Sequence, residues 1–388
     1  MTKKILAVGG GSGGHVTPVV AVLRELKSQD PSIEVRFWCD NTFGRQAKSI
    51  VGYYDPEVRV DTIISGKLRR YHHLTFLQHL TIPSVLWPNL RDGVLVVAGV
   101  VQSVSKLLIW RPDVVFTKGG YVCLPVGWAA RFLRIPLVIH DSDAHPGLTN
   151  RLLAKHADII ATGAPLEYYS YPKERSYYVG IPIGEEFKPF SQEEQRHAKR
   201  LLGVSLDKPL IVITGGGLGA KLLNDAVVLH LDALMELGTV ILVSGSAQYD
   251  ELRAITPSGD SRFQLHAFIS NGMAQLLGAA DVVVTRAGAT TILELAGLAK
   301  PTILVPNGRL TGGHQLKNAK VYEDKKAVLV IDDNKFAEPS DASLVTAVKT
   351  VLGDSKLQES LSAAIRTFAK PNAAKDVAKL IIQAIKKQ

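Results

Sequence analysis

Residues 3–15 read KKILAVGGGSGGH, a short aliphatic run that ends directly in a glycine-dense loop, and residues 210–220 repeat the plan as LIVITGGGLGA. A strand that stops at a glycine loop and opens into a helix is the first unit of a parallel βαβ fold, since backbone amides there can approach an anion at a helix N-terminus. Its occurrence twice, at Ile5–Gly14 and Ile211–Gly219, predicts an α/β protein of two Rossmann-like, doubly wound parallel-sheet domains. The same rhythm fills the chain: Lys3–Gly9, Ile33–Trp38, Val114–Thr117, Pro136–His140, Leu210–Thr214, Val240–Ser244, Val282–Thr285 and Thr302–Val305 read as strands separated by amphipathic stretches. Parallel strands need crossover helices, so sites are expected in the loops at the strands' carboxyl ends. Val179-Gly-Ile-Pro-Ile-Gly184 punctuates the pattern before a helix near Gln192–Leu202. The expected domains are therefore 1–184 and 185–365, with 366–388 carrying an amphipathic helix at Asn372–Lys387 that packs back on the first domain.

The chain has 388 residues, 46% hydrophobic and 21% charged, which suits folded domains and excludes disordered, fibrous or rod-like classes. Cys39 and Cys123 are too few for a disulfide framework and lie in no zinc-binding spacing, so a reducing compartment is expected. The first apolar stretch runs straight into glycines and lacks a signal peptide's long core. No stretch reads as the about 18 to 20 apolar residues of a membrane span, because Gly93–Trp110 is interrupted by Gln102, Ser103, Ser105 and Lys106. A formal charge of +9 suits an anionic partner such as nucleic acid, acidic lipid or pyrophosphate.

The loops carry the chemistry. Gly9–Gly14 suits close backbone approach to a phosphate or sugar, with Thr17 and Pro18 as N-cap and first-turn residues of the helix behind it, though a tight structural turn has the same composition. His15 is placed to take a proton from a hydroxyl, or else to bond the helix start. Thr117-Lys-Gly-Gly-Tyr121 is a second close-approach turn, with Tyr121 as a stacking, hydrogen-bonding or core group. His140-Asp-Ser-Asp143-Ala-His145 gathers two carboxylates and two imidazoles after a strand, a density that favours function. As a DxD metal pair Asp141 and Asp143 are disfavoured, since glycine loops and helix N-termini can neutralise a diphosphate without a cation. In the second half Gly215–Ala220 repeats the phosphate geometry. Glu294, in the first turn of a helix, can accept two hydrogen bonds from a ribose diol, or else close a capping box with Thr291. His314, Gln315 and Asn318 follow a further glycine-rich loop.

Together GGGSGGHVTP, FTKGGYVCLPVGWAA, HDSDAHPGLTNRLL, VGIP, TGGGLGA, RAGATTILELA and HQLKNA resemble, in order and spacing over nearly the whole chain, the lipid I N-acetylglucosaminyltransferases of glycosyltransferase family 28. The resemblance implies a GT-B fold whose two domains face a cleft, and an inverting, metal-independent hexosyltransferase. It moves GlcNAc from UDP-GlcNAc to the muramoyl 4-hydroxyl of an undecaprenyl-pyrophosphoryl acceptor in peptidoglycan synthesis. UDP-GlcNAc is then a substrate and no cofactor is needed. The implied base is His15, with Asp141 as the alternative. Donor binding falls to Gly11, Ser12, Gly13, Asp143, Gly217, Ile269, Ala289, Thr290, Thr291, Ile292, Leu293, Glu294, His314, Gln315 and Asn318, and acceptor binding to Gly14, Gly119, Gly120 and Tyr121. The family's HExN, VGNPxR and GGSxGA stand here as His140-Asp141-Ser142-Asp143, VGIPIG with Ile181 and Gly184, and GGGLGA with Gly217 and Leu218.

Those departures keep two other readings open: a related transferase using another sugar nucleotide or lipid, such as diacylglycerol, and a non-catalytic GT-B scaffold. A dinucleotide oxidoreductase is disfavoured because neither loop is a clean GxGxxG, and nucleic acid because no basic stripe is interleaved with aromatics. Between Gly66 and Trp110, Lys67, Arg69, Arg70, His72 and His73 mix with Leu74, Phe76, Leu77, Leu80, Ile82, Leu86 and Trp87, which suits an anionic membrane surface. A peripheral location on the cytoplasmic face of a bacterial plasma membrane, with other cell-wall enzymes as partners, is the corresponding expectation.

Overall fold

The computed structural model describes residues 2–10, 13–68, 82–216, 219–269, 271–308, 313–334, 336, 338 and 340–386, with the side chains of 13–15 outside that description. The chain divides into two compact units, one comprising Met1–Gly184 with Lys370–Gln388 and the other Glu185–Ala369.

In the first unit seven parallel strands form one sheet, ordered β3-β2-β1-β4-β5-β6-β7. They are β1 Lys4–Val8, β2 Glu34–Asp40, β3 Arg59–Ile63, β4 Val114–Thr117, β5 Leu137–Asp141, β6 Ile159–Thr162 and β7 Ser176–Tyr178. Side chains alternate between faces: Ile5, Ala7, Val114 and Phe116 enter one core, while Leu6, Val8, Val115 and Ile139 enter the other. Val377, Ala378, Leu380, Ile381 and Ala384 of helix Ala373–Lys386 complete the first core beside Val16, Val19 and Leu23 of helix Gly13–Gln29.

The second unit has six parallel strands in the order β10-β9-β8-β11-β12-β13, where β8 is Leu210–Thr214, β9 Thr239–Val243, β10 Phe263–His266, β11 Val282–Thr285, β12 Thr302–Leu304 and β13 Leu329–Val330. In both sheets the strand order reverses beside the first strand, between β1 and β4 and between β8 and β11. Loops leaving those strands diverge to opposite faces and open a crevice for ligands at the carboxyl edge.

Three local expectations are corrected. Helix Gly13–Gln29 starts ahead of Thr17, so Thr17 is no N-cap and Pro18 lies inside the helix, where it donates no backbone hydrogen bond. Helix Ala289–Leu298 is capped by Gly288 without a side-chain bond. Thr291 is therefore already helical, the Thr291/Glu294 capping box does not form, and Glu294 falls in the second turn. Pro83–Trp110 is one helix of 28 residues with mean hydropathy 1.8 in its most apolar window, long and apolar enough to cross a membrane by length and composition. The residues read as interruptions do not break it: Gln102 accepts from the Ile64 backbone at 2.8 Å and Ser105 bonds back to the Val101 carbonyl at 3.1 Å.

Candidate active site

At the carboxyl edge of the first sheet, two glycine turns meet backbone to backbone. Gly119 and Gly120 have φ of 104° and 91°, and a Cβ on Gly120 would stand 2.5 Å from the Gly10 carbonyl oxygen. Only glycine satisfies both the left-handed backbone and the close approach. The Lys118 amide donates to the Val8 carbonyl at 2.9 Å, so the second turn is tied to the end of β1. Gly11 and Ser12 lie outside the described residues. Gly13, Gly14 and His15 form the first turn of the helix that follows, and the His15 imidazole is likewise outside the description.

Tyr121, half-buried, bonds to Asp40 and Thr42, and its hydroxyl is pushed up to about 12 by burial and then by the Asp40 carboxylate. Asp40, 1% exposed at the end of β2, also accepts from the Phe43 amide at 3.0 Å. Sequence reasoning missed it, although an acidic residue closing the second strand of such a sheet is a recognisable signal.

The loop after β5 is a buried polar cluster. Asp141, 3% exposed, accepts from the Tyr171 hydroxyl at 2.7 Å. Tyr171 stacks on Tyr169 with centroids 5.4 Å apart, and the Tyr169 hydroxyl donates to the Asp143 carbonyl at 2.7 Å. Burial pushes the Asp141 carboxyl up to about 7; bonds from Tyr171 and Asn150 and the Lys118 charge pull against that shift, and Asp143 adds to it. Lys118 is fully enclosed and its ammonium donates to the Ser142 hydroxyl. His140 serves the fold instead, since its Nε2 donates to the Gly180 carbonyl at 2.8 Å and holds the turn after β7.

In the second unit the loops after β8, β11 and β12 share one edge of the sheet. Gly216 and Gly219 have φ of 78° and 75°, while Gly217 and Leu218 lie outside the described residues. Asn224, in the helix behind them, donates to the Ser244 carbonyl and to Gln248 Oε1, both at 2.8 Å, locking the glycine loop to the end of β9. After β11 the buried Arg286 guanidinium donates to the Val305 carbonyl at 3.0 Å and to Asp333 Oδ2 at 2.7 Å. That anchor sets the turn into helix Ala289–Leu298.

Ala289, Thr290 and Thr291 are half-buried at the helix start, whereas Ile292 and Leu293 are turned into the core and can offer a ligand only backbone. Glu294 is also half-buried, yet its carboxylate has no hydrogen bond or ion pair among the described residues. Burial, and then the Glu186 carboxylate, push it up to about 7. Gln315 Oε1 accepts from the Asn307 amide at 2.8 Å, and Asn318 donates to the Ala287 carbonyl at 3.1 Å. Both therefore tie helix His314–Glu323 to the loops after β12 and β11. His314 opens helix His314–Glu323, and Ile269 lies half-buried beyond β10. Among the described residues no three His, Cys, Asp or Glu side chains gather as a metal site, and both Asp141 and Asp143 act electrostatically on the Lys118 ammonium.

The comparisons with known proteins agree with this architecture. Residues 5–162 match the glycosyltransferase family 28 N-terminal domain and residues 210–381 its C-terminal domain. Over 394 aligned residues, 99% of this chain and 100% of the relative, the sequence is 30% identical to a Bacillus cereus protein named UDP-N-acetylglucosamine–N-acetylmuramyl-(pentapeptide) pyrophosphoryl-undecaprenol N-acetylglucosamine transferase 1. The chain belongs to glycosyltransferase family 28. The similarly named transferase of Bacillus cytotoxicus is 31% identical over the same coverage. Among solved structures, Acinetobacter baumannii MurG is similar with a TM-score of 0.71 at 25% identity, covering 99% of this chain and 100% of that one. The kitacinnamycin glycosyltransferase, at 15% identity and a TM-score of 0.68 over 99% of this chain and all of that one, shares the fold. As a family 28 enzyme the protein is a glycosyltransferase with two Rossmann-like domains of the GT-B type.

Proposed function

We propose that the protein transfers N-acetylglucosamine from UDP-N-acetylglucosamine to the muramoyl 4-hydroxyl of undecaprenyl-pyrophosphoryl-MurNAc-pentapeptide, the reaction named for its Bacillus relatives. The observation that carries this reading is Glu294: a half-buried carboxylate with no hydrogen bond or ion pair among the described residues, on a helix whose entry turn is braced through Arg286 and Asn318. A carboxylate desolvated at a cost and left unpaired is supported by a ligand that brings two donors, and the 2′- and 3′-hydroxyls of a uridine ribose fit that need. The start of helix Ala289–Leu298 and the glycine loop after β8 offer backbone amides to the diphosphate, which leaves with the electron pair of the broken sugar–phosphate bond. In the first unit the acceptor hydroxyl gives its proton to His15 or Asp141 as its oxygen bonds to the anomeric carbon. No metal is needed in this scheme, because amides and helix dipoles offset the leaving charge.

Helix Pro83–Trp110 supports the lipid half of the reading. Its outer face exposes Trp87, Leu90, Val94, Val97, Val101 and Leu108, a stripe at helical spacing, with Phe132 exposed on the adjoining helix Cys123–Phe132. The inner face is committed to the fold, since Gly99 packs against the Ile64 backbone and Pro125. The helix therefore lies on an anionic bilayer rather than crossing it, dipping its apolar stripe among the acyl chains. Arg69, Arg70, His72, His73, Leu74, Phe76, Leu77 and Leu80, counted with this surface from sequence, lie outside the described residues.

A bacterium whose own lipid I N-acetylglucosaminyltransferase is placed under repressible control tests the proposal. Expression of this chain restores growth under repression and its Glu294→Ala variant does not; lysis despite folded, membrane-recovered protein would contradict it.

A further inference from the structure

Lys118 is one of the largest fully enclosed side chains in the protein, and lysine is seldom buried without a charge to answer. It follows β4, and the neighbouring β5 ends in Asp141, so the ammonium is delivered into the turn that carries both Asp141 and Asp143. Its hydrogen bond goes to Ser142, the residue between the two carboxylates. We propose that Lys118 is a positioning residue of the first unit's site: its ammonium, anchored on Ser142, is the counter-ion of Asp141 and Asp143 and holds the Asp141 carboxylate ready to take up a proton.

The charge balance supports this role. Lys118 and Asp141 are buried and Asp143 is half-buried, so two carboxylates and one ammonium carry a net charge of minus one that a single proton neutralises. Without the ammonium, desolvation would keep the buried Asp141 carboxyl protonated and unable to accept a proton. The charged and titratable groups around the cluster are Lys118 after β4, Cys123 on the adjoining helix, His140 at the end of β5 with its Nε2 on the Gly180 carbonyl, Asp143 and His145 in the same loop, Arg151 on helix Leu148–Leu153, and Tyr169 and Tyr171 after β6. Burial pushes the Cys123 thiol up to about 12 and the Tyr171 hydroxyl well above its usual range, so both are neutral at physiological pH. Arg151 acts on Tyr171. Among the described residues Lys118 is thus the lysine or arginine that acts on both carboxylates.

The inference rests on the transferase reading for its activity readout, and the test separates the two. In Lys118→Met the acid limb of the kcat–pH profile moves up by about 1 to 3 pH units. In Asp143→Asn, which removes the like charge, it moves down, and in the double variant it returns toward the wild type. Lys118→Arg retains the wild-type limb. A limb unmoved in all of them, with only the melting temperature of Lys118→Met lowered, would overturn the proposal and leave Lys118 a packing residue. Carboxyl carbon resonances of selectively labelled Asp141 give a second readout that needs no turnover. An upward midpoint in Lys118→Met supports the coupling even if lipid I proves not to be the acceptor, and an unmoved midpoint refutes it. Should Lys118→Met fail to fold, Lys118→Gln is read in its place on the same terms, an upward limb supporting the proposal and an unmoved one overturning it.

Discussion

Replacing Glu294 with glutamine separates what that carboxylate does for binding from what it costs the fold. Its shift from 4.5 to about 7, at about 1.4 kcal/mol per pH unit, sets a ceiling of about 3 kcal/mol. Water at the open edge of the side chain reduces this to about 1–2 kcal/mol. The folded value lies above the unfolded one, so the stability contributed by the proton is fully present below pH 4.5 and is lost as pH rises through about 7. Glutamine has no such proton to lose. Relative to the wild type, Glu294→Gln therefore gains stability across that window and by pH 8 melts about 2–8 °C higher, given about 2–4 °C per kcal/mol for a unit of this size. Binding moves the other way: the amide offers a single neutral acceptor, and UDP affinity falls about tenfold or more. Thermal melts from pH 5 to 8.5, paired with calorimetric titration of UDP, read both effects. A variant whose stability difference from wild type ignores pH and whose UDP affinity is unchanged would refute the reasoning and reduce Glu294 to an ordinary helix residue.

Other substitutions probe the remaining parts. Gly120→Ala forces a side chain into a left-handed backbone at φ 91° and against the Gly10 carbonyl; neither partner is a mobile side chain, so the first unit loses about 2–4 kcal/mol, read from its denaturant midpoint, and an unchanged midpoint contradicts the packing described. Arg286→Met strands the buried Asp333 carboxylate; a loss of about 3–5 kcal/mol is expected in the second unit, and unaltered melting would show the pair to be dispensable. Val97→Asp with Val101→Asp places charge in the exposed stripe of helix Pro83–Trp110 and abolishes co-sedimentation with anionic vesicles at unchanged melting temperature. Retained vesicle binding would remove that helix from the lipid surface.

Much of the fold is legible because central parallel strands are buried on both faces and read as unbroken aliphatic runs: Val114–Thr117, Leu210–Thr214 and Val282–Thr285 stand where the sequence places them. Strands nearer the edges are not. β3 carries Arg59 and Asp61 in its five residues and so presents no hydrophobic run, and β13 takes up only two residues of the short run Ala327–Ile331. The helix start before Glu294 was hidden for another reason. Thr291-x-x-Glu294 satisfies the capping-box pattern, while the true cap, Gly288, is set by the turn that Arg286 anchors. Polar residues in Pro83–Trp110 look like interruptions until Gln102 is seen bonded to the Ile64 backbone.

For the site, the glycine loops and the acidic turn announce themselves, because close approach to phosphate demands glycine and titratable residues rarely cluster in plain connections. Asp40 and Lys118 do not. Each acquires meaning only from residues brought beside it by the sheet, Tyr121 for the first and Asp141 with Asp143 for the second. Conversely Ile292 and Leu293, grouped with the donor site by resemblance, belong by their burial to the core.

The most direct measurement is transfer of labelled GlcNAc from UDP-GlcNAc to a short-chain lipid I analogue in detergent, with and without EDTA. A lipid II-type product is expected, its yield unaffected by chelation and lowered in Glu294→Gln. No product from folded protein with a lipid I analogue, but transfer of another sugar or transfer to diacylglycerol, would contradict the proposed reaction.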